Sequence, residues 1–177
     1  MGSDKALVAW QGIPLLQRVF GVAQACCSTV FVLTPWPERY QSLLPSSVNW
    51  LLEPPATFAG PLAALSLGMQ TIRTPWVLLL ACDLPQLDVA VLARWMQALP
   101  ETDAVAQVPY YQDRWEPLCG FYRIDALPAL QTFLAENGDR ASFQQWLQTI
   151  DAVPLAVDAA TSSMFYNCNT PNDLTVS

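Results

Sequence analysis

Asp83 is the residue whose position in the sequence points most directly to chemistry. It follows residues 76–81, where five or six apolar side chains stand without polar alternation. Such a run predicts a strand buried on both faces, and Pro75 and Pro85 bound it. Ligands of open α/β sheets bind beyond the carboxyl ends of strands, so a carboxylate there is suited to hold Mg2+ against a phosphate. The residues alone leave a second interpretation equally open, in which Asp83 caps the next helix or turn.

Two further positions have the chemistry to bind an anion. Lys5 is the only lysine in the chain, and its compact ammonium group suits a phosphate. The commoner state of a lysine near a chain end, however, is a solvated side chain. Gly60 precedes Pro61 where a helix is predicted to begin, which leaves free N–H groups and allows close backbone approach to an anion. Taken alone, that pair is more simply interpreted as an ordinary proline-initiated helix.

Helices and strands that alternate along the chain must position these residues. Apolar periodicity predicts helices over residues 14–27, 38–44, 62–73, 88–99, 125–136 and 141–150, with Asp88 as a plausible N-cap. Apolar and β-branched runs predict strands at residues 29–34, 50–53, 77–81, 103–108, 118–122, 152–157 and 163–166, with a polar, aromatic loop over residues 110–116. The order predicts a three-layer α/β fold of Rossmann type, with a mostly parallel sheet and helices on both faces. We expect residues 1–177 to form a single domain.

Composition excludes several classes of function. The chain contains no histidine, so serine–histidine and cysteine–histidine catalysis and histidine-bound metals are excluded. The formal net charge of −7 argues against general binding of nucleic acid or anionic membranes. The apolar runs are too short to span a bilayer, and the amino terminus has no signal-peptide core. The five cysteines lack zinc-ligand spacing and fit a reduced compartment, so we expect a cytoplasmic protein.

Four stretches, taken in order, resemble the molybdenum cofactor guanylyltransferases, a branch of the Rossmann-like nucleotidyltransferases. Their sequences are Met-Gly-Ser-Asp-Lys-Ala-Leu at residues 1–7 with Gly-Ile-Pro-Leu-Leu at residues 12–16, Gly-Pro-Leu-Ala-Ala at residues 60–64, Cys-Asp-Leu-Pro at residues 82–85, and Asn-Cys-Asn-Thr-Pro at residues 167–171. Residues 116–123 are also similar to the family. The resemblance spans nearly the whole chain in the right order, which makes the set more specific than any one motif.

The resemblance implies that GMP moves from GTP to the terminal phosphate of molybdopterin while pyrophosphate leaves. Lys5 would contact the GTP phosphates, the loop that contains Gly60 would be the second nucleotide loop, and Asp83 would bind Mg2+. Asn167 and Asn169 would contact the pterin-bearing substrate or product, because paired amides offer both donors and acceptors. Their other interpretation is a turn and helix cap around Thr170-Pro171. Molybdoenzymes or other cofactor-biosynthesis proteins are the expected protein partners.

Two parts of the family pattern differ in this sequence. In the family, a buried strand and the loop Leu-Ala-Gly-Gly-x-Ser-x-Arg precede Met-Gly, whereas Met1 stands here where that loop ends. The strand lies centrally in the sheet and the loop amides cradle the nucleotide, so we expect that this sequence starts at an internal methionine. The family usually has an acidic residue just after the third strand. Pro54 aligns there, with Glu53 one position earlier.

Three alternatives to GMP transfer are left open by the residues. Cytidylyltransfer to the same pterin is a rival within the enzyme class, and an inert nucleotide-binding homologue or scaffold is a rival outside it. The missing loop and Pro54 favour the inert homologue. A flavodoxin-like domain that binds another cofactor is the third, and the absence of a Gly-x-Gly-x-x-Gly turn disfavours a dinucleotide site.

Overall fold

A computed structural model describes residues 4–54 and 60–166 of the chain. The strands, in chain order, are β1 (Ala9–Trp10), β2 (Ile13–Pro14), β3 (Phe31–Thr34), β4 (Asn49–Leu52), β5 (Trp76–Leu80), β6 (Ala106–Tyr111), β7 (Arg114–Trp115), β8 (Cys119–Arg123) and β9 (Ala152–Leu155). The α-helices are α1 (Leu15–Cys26), α2 (Pro61–Thr71), α3 (Val89–Ala98), α4 (Leu127–Asn137) and α5 (Phe143–Leu147). None of the helices in residues 4–54 and 60–166 combines the length and the apolar character that a bilayer crossing requires.

The largest sheet contains five strands in the order β5-β8-β6, with β7 and β9 both paired to β6. β5 runs antiparallel to β8, so Leu80 at the carboxyl end of β5 lies opposite Cys119 at the start of β8. β6 is antiparallel to β7 and β8 and parallel to β9. β3 and β4 form a separate parallel pair, and β1 and β2 form an antiparallel hairpin. The end of β5 therefore meets the loop that enters β8.

This sheet is mixed, whereas the sequence predicted mostly parallel pairing. The α/β class itself is confirmed, with helices that flank the sheet. The physical reason for the mixed pairing is the connection from β6 to β8, which contains the short strand β7 and no helix. A parallel pair needs a long crossover of a dozen or more residues, while a short connection returns the chain antiparallel. Only the helical segment that includes α4 and α5 brings β9 back parallel to β6.

The apolar core lies on both faces of this sheet, as a three-layer fold requires. Side chains of successive strand residues point to opposite faces. In β8, Tyr122 therefore packs into a cluster with α2, α4 and α5, while Phe121 packs into a cluster with α3. Both rings are almost fully buried, at 0% and 1% exposure. The two clusters fix β8 between the layers and hold the loop at its start in one place.

Several predicted elements differ from the observed ones in extent or type. The predicted helix over residues 141–150 shortens to α5, and the predicted helix over residues 38–44 is a single 3₁₀ turn at Pro37–Arg39. The predicted strand at residues 163–166 is wrong, because the segment Thr161–Phe165 is a 3₁₀ helix. The Asp158 carboxylate accepts hydrogen bonds from the Thr161 N–H and hydroxyl groups and so starts that helix. Such local side-chain bonds compete with strand formation.

Candidate active site

Asp83 lies in the turn that follows β5, at the edge of the sheet where β8 begins. The Ala81 N–H donates to the Leu118 carbonyl at 2.8 Å, which ties the end of β5 to the chain entering β8. The Asp83 side chain is 21% exposed. It does not cap α3, because Asp88 accepts the hydrogen bonds from the Ala90 and Val91 amides, as the sequence predicted for Asp88. The helix-capping interpretation of Asp83 is therefore excluded.

Lys5 approaches Asp83 from a distant part of the sequence. Its Nζ donates to Asp83 Oδ2 at 3.1 Å, and the Lys5 side chain is 45% exposed. The Asp4 carboxylate holds the turn that carries Lys5, because Oδ1 accepts from the Ala6 amide and Oδ2 accepts from the Tyr40 hydroxyl at 2.8 Å. The structure thus brings together the cation and the carboxylate that the sequence singled out. Lys5 therefore pairs with Asp83, while its side chain stays partly exposed to solvent.

The groups around this ion pair keep their protons at neutral pH. Burial raises the pKa of Tyr40 to about 12, and the hydrogen bond to Asp4 adds to the rise. Burial also raises the pKa of the Cys82 thiol to about 11, with the charges of Asp83 and Asp4 contributing. The Tyr40 hydroxyl therefore remains a donor to Asp4, and Cys82 is not a thiolate.

A cleft of about 390 Å³ opens beside Asp83. The beginning of α2, with Pro61 and Leu62, lines one side, and Glu116, Gln144 and the ring of Phe143 lie on other parts of its wall. Gly60 stands just before this helix with a φ of +81°, in the left-handed region that favours glycine. The Ala64 N–H donates to the Gly60 carbonyl, so Gly60 is the N-cap residue of α2. The helix begins at Pro61, in agreement with the predicted proline-initiated start, and Pro61 is also the first residue of α2 to line the cleft.

A loop formed by residues 116–118, the 116–118 loop, brings a second carboxylate to the cleft. Sequence analysis grouped this stretch with the family resemblance but did not select Glu116, Arg114 or Gln144 as site residues. Arg114 Nε lies 3.3 Å from Glu116 Oε1, and the Glu116 side chain is 19% exposed. Burial raises the pKa of Glu116, and Arg114 opposes that rise. The one available signal was the position of Glu116 in a polar loop between two strands.

The remaining residues that the sequence singled out are Asn167, Asn169, Glu53 and Pro54. Asn167 and Asn169 lie outside the described residues, so their predicted roles stay predictions. Glu53 follows β4, and its N–H donates to the Thr34 carbonyl at 3.3 Å. Neither Glu53 nor Pro54 is among the described residues that line the cleft. The cleft therefore gives no evidence that Glu53 replaces the acidic residue of the family.

The single carboxylate of Asp83 suits a cation that is held mainly by substrate phosphates and water. Residues 4–54 and 60–166 contain no group of three or more histidine, cysteine, aspartate or glutamate side chains that could enclose a metal. Mg2+ does not need such a cage, because it keeps several waters and is usually bound by one or two carboxylates together with substrate phosphates. The partly exposed carboxylate of Asp83 suits that arrangement.

Comparisons with known proteins converge on one enzyme family. The sequence profile of the MobA-like NTP transferase domain matches residues 1–151. A probable molybdenum cofactor guanylyltransferase of Nostoc sp. is 46% identical over 179 residues, which cover 99% of this chain and 83% of the relative. The molybdenum cofactor guanylyltransferase of Pseudomonas aeruginosa is 31% identical over 96% of this chain and 83% of the relative.

The fold is also similar to a solved structure. The molybdopterin-guanine dinucleotide biosynthesis protein A of Archaeoglobus fulgidus superposes with a TM-score of 0.80 and 20% sequence identity, covering 98% of this chain and 88% of that protein. At that identity the likeness concerns the fold alone. It agrees with the α/β architecture predicted from the alternation of strands and helices.

Proposed function

Because this chain belongs to the MobA-like NTP transferase domain family, we propose that it transfers GMP from GTP to the terminal phosphate of molybdopterin. The chain is a nucleotidyltransferase, and its relatives at 44–46% identity carry the name molybdenum cofactor guanylyltransferase. The geometric observation that supports the proposal is the contact of 3.1 Å between Lys5 Nζ and Asp83 Oδ2 beside the cleft. A cation and a carboxylate at one strand end are the pair that a nucleoside triphosphate with its metal requires.

The reaction is an in-line displacement at the α-phosphorus of GTP. A terminal phosphate oxygen of molybdopterin forms a new bond to the α-phosphorus, and the bond from that phosphorus to the bridging oxygen of the β-phosphate breaks. The products are the molybdopterin guanine dinucleotide and pyrophosphate. Such a transfer depends mainly on positioning and on electrostatic stabilisation of phosphate oxygens. The chain's own residues therefore act chiefly by binding and orienting the two substrates.

Each candidate residue has a role in this proposal. Lys5 binds the GTP phosphates, and the amides at the start of α2, beyond Gly60, approach the nucleotide. Asp83 holds Mg2+, which when bound offsets negative charge on the phosphoryl groups. Asn167 and Asn169 contact the pterin-bearing substrate or product through their amides.

The proposal extends to the whole chain and its surroundings. We propose one nucleotidyltransferase domain over residues 1–177, of which residues 1–151 match the family profile. A cytoplasmic location agrees with the four cysteines that are free in the described chain, Cys26, Cys27, Cys82 and Cys119. GTP and molybdopterin are the small-molecule partners, and molybdoenzymes or other cofactor-biosynthesis proteins are the protein partners.

Transfer of label from [α-32P]GTP to molybdopterin tests the function directly. We expect labelled dinucleotide and released pyrophosphate with GTP and Mg2+, little product with CTP, and none after chelation of the metal. Product with CTP alone would instead identify the cytidylyl reaction. A chain that transfers neither nucleotide would be the inert homologue.

The substitution Asp83→Asn separates the metal role from a structural one. Loss of a carboxylate that acts on the transferred phosphoryl group should lower kcat by roughly 10²- to 10³-fold. Asp103→Asn is the matched control, since exposed Asp103 precedes β6 and lies at the sheet edge opposite Asp83. We expect that control to keep the activity of the unchanged chain. Full transfer by Asp83→Asn would refute the proposed role of Asp83.

A further inference from the structure

The cleft beside Asp83 has two sides that come from different parts of the chain. Pro61 and Leu62 at the beginning of α2 line the first side, and the 116–118 loop with the beginning of α5 lines the second side. Under the function proposed above, on which this inference rests, Gly60 and Lys5 bind the nucleotide. In-line attack brings the acceptor to the α-phosphorus from the side opposite the leaving pyrophosphate. With the nucleotide on the first side, the second side of the cleft is left for the acceptor.

Glu116 supplies the carboxylate of this second side. Glu116 lines the cleft, and its side chain is 19% exposed, so most of it is covered. Within residues 4–54 and 60–166, Arg114 is the one side chain that pairs with this carboxylate, at 3.3 Å. A carboxylate has about four lone-pair sites on its two oxygens. Glu116 therefore has acceptor capacity to offer to a ligand.

The 116–118 loop is held rigidly by hydrogen bonds at every residue. The Glu116 N–H donates to the Pro109 carbonyl at 2.8 Å, and the Glu116 carbonyl accepts from the Cys119 amide at 3.2 Å. The Tyr122 hydroxyl donates to the Pro117 carbonyl at 2.7 Å. The Leu118 carbonyl accepts from the Ala81 amide at 2.8 Å. These bonds fix the backbone of Glu116 relative to Ala81, which follows β5 and lies two residues before Asp83.

The neighbours of Glu116 add fixed walls to the site. The Gln144 side chain donates to the Trp115 carbonyl at 2.8 Å and accepts from the Trp115 amide at 3.2 Å, which fastens the beginning of α5 to β7. Phe143 and Phe165, which are both buried, also line the cleft. Aromatic faces beside a fixed carboxylate suit a flat heterocycle whose edge carries N–H groups.

We propose that Glu116 recognises the pterin ring of the acceptor by accepting hydrogen bonds from its exocyclic amino group and the adjacent ring N–H. Those two donors point in the same direction, and the two oxygens of one carboxylate match them, as they match the paired N–H groups of arginine. Hydrogen bonds to a charged acceptor are about twice as strong as neutral ones. Glu116 is thus a specificity residue for the acceptor rather than a residue of the chemical step.

The guanine base of GTP carries the same pair of donors, so the placement of Glu116 decides between the two ligands. Lys5 contacts Asp83 from the part of the chain that precedes α1, and Gly60 precedes α2. Glu116 and Gln144 belong instead to the segments around β7 and α5, on the second side of the cleft. A nucleotide held at Lys5 and Gly60 leaves Glu116 to the acceptor.

Binding of 6-hydroxymethylpterin and of 6-hydroxymethyllumazine to the full chain tests this inference. Lumazine has an oxygen in place of the exocyclic amino group, so it lacks one of the two donors and directs a carbonyl at the carboxylate. We expect the unchanged chain to bind the pterin about tenfold more tightly than the lumazine, which corresponds to about 1.4 kcal/mol. Glu116→Gln should lose that preference, and Glu116→Asp should keep part of it.

Kinetics with molybdopterin provide an independent readout. Glu116→Gln should raise the KM for molybdopterin about tenfold while the KM for GTP and the thermal midpoint stay unchanged. Glu101→Gln is the matched control, because exposed Glu101 ends the 3₁₀ helix after α3 and does not line the cleft among the described residues. A rise in the KM for GTP instead would assign Glu116 to guanine and overturn the inference.

The two experiments separate this inference from the proposed function. If the chain transfers GMP and Glu116→Gln leaves the KM for molybdopterin unchanged, the function stands and the inference is wrong. If the chain transfers no GMP but prefers the pterin through Glu116, the proposed function is wrong while Glu116 still recognises a pterin. An unchanged chain that shows no preference for the pterin over the lumazine also overturns the inference.

Discussion

Lys5 and Asp83 are separated by 78 positions in the sequence, yet they form the ion pair from which the site is built. An exposed ion pair of this kind contributes little to folding stability, because solvent screens it and side-chain entropy opposes it. Under the proposed function, its value lies in holding a positive charge where the phosphates of GTP bind. Substitution of such a residue should therefore weaken substrate binding more than it lowers the free energy of unfolding.

Lys5→Gln should therefore weaken nucleotide binding without unfolding the chain. We expect the KM for GTP to rise about tenfold and the free energy of unfolding to change by less than about 1 kcal/mol. The measurements are steady-state kinetics and urea denaturation. Arg94→Gln removes an equal charge from the exposed face of α3 and serves as the control. Equal effects of both substitutions on the KM would show that only net charge matters.

The Tyr40–Asp4 hydrogen bond stabilises the turn that carries Lys5. Its contribution to the free energy of unfolding should depend on pH. The pKa of Tyr40 is about 12 in the folded chain and 10 for the reference residue. A pKa raised by folding contributes stability that is complete below pH 10 and is lost as pH rises through 12. The contribution of Tyr40 should therefore vanish in strongly alkaline solution.

Tyr40→Phe isolates this contribution from other groups that titrate at high pH. We expect the variant to be less stable than the unchanged chain by about 1–2 kcal/mol at pH 8, because Asp4 loses its donor. The difference should shrink as pH rises from 10 towards 12. Urea denaturation at several pH values measures it. A difference that stays constant across that range would mean that the hydroxyl of Tyr40 is not the group responsible.

Elements that follow simple periodicity were predictable, and elements that depend on unusual turns were not. β5 and α3 are confirmed, because one is an unbroken apolar run and the other has an amphipathic pattern after the Asp88 cap. β7 was missed, since its hairpin turn consists of Gln112 and Asp113, both with positive φ. Asn-Gly or Asp-Gly is the usual signal for such a turn. The sequence therefore indicated only a loop.

The same difference explains which parts of the site were predictable. Asp83 follows a strand that the sequence identifies, so its place at the sheet edge could be expected. Glu116 reaches the cleft through the hairpin of β6 and β7 and the antiparallel pairing of β8 with β5. The pairing of β8 with β5 joins residues far apart in sequence, and the β6–β7 turn lacks the usual glycine signal, so no local pattern specifies either of them. A long-range pairing had to be known before Glu116 could be placed.

Gly120 in β8 links strand packing to the 116–118 loop. A Cβ at this position would lie 3.1 Å from both the Tyr122 hydroxyl and Val108 Cγ2, which is tighter than ordinary contact. Gly120→Ala should therefore displace Tyr122 and weaken its hydrogen bond to the Pro117 carbonyl. We expect a loss of about 1–3 kcal/mol in the free energy of unfolding, measured by urea denaturation.

Gly68 in α2 provides the opposite case with the same substitution. A Cβ at Gly68 would meet nothing within 4 Å, and the residue lies in the middle of a helix. Gly68→Ala should stabilise the chain by about 0.5–1 kcal/mol, because alanine loses less conformational entropy on folding. Equal effects of the two substitutions would contradict the proposed crowding around Tyr122.

At the scale of the whole molecule, an acidic protein must bind substrates that are themselves anions. The net charge of −7 repels phosphates at long range, so binding depends on short-range contacts that salt screens less. Within the site these contacts are few, and the proposed metal at Asp83 is the largest positive charge among them. The stability of the whole chain should therefore report on GTP and Mg2+ jointly.

Thermal unfolding tests this dependence without any need for turnover. A ligand at 100 times its Kd stabilises the folded state by about 2.7 kcal/mol, and for a chain of this size each 1 kcal/mol raises Tm by about 2–4 °C. GTP with Mg2+ should thus raise Tm by about 5–10 °C.

Two changes should make this shift much smaller. A chelator removes the cation that bridges the triphosphate and Asp83, and Asp83→Asn removes the carboxylate that holds that cation. The Asp103→Asn control should keep the full shift. A rise in Tm that is equal with and without Mg2+ would mean that the nucleotide binds through side chains and backbone amides alone, and the metal role of Asp83 would have to be abandoned.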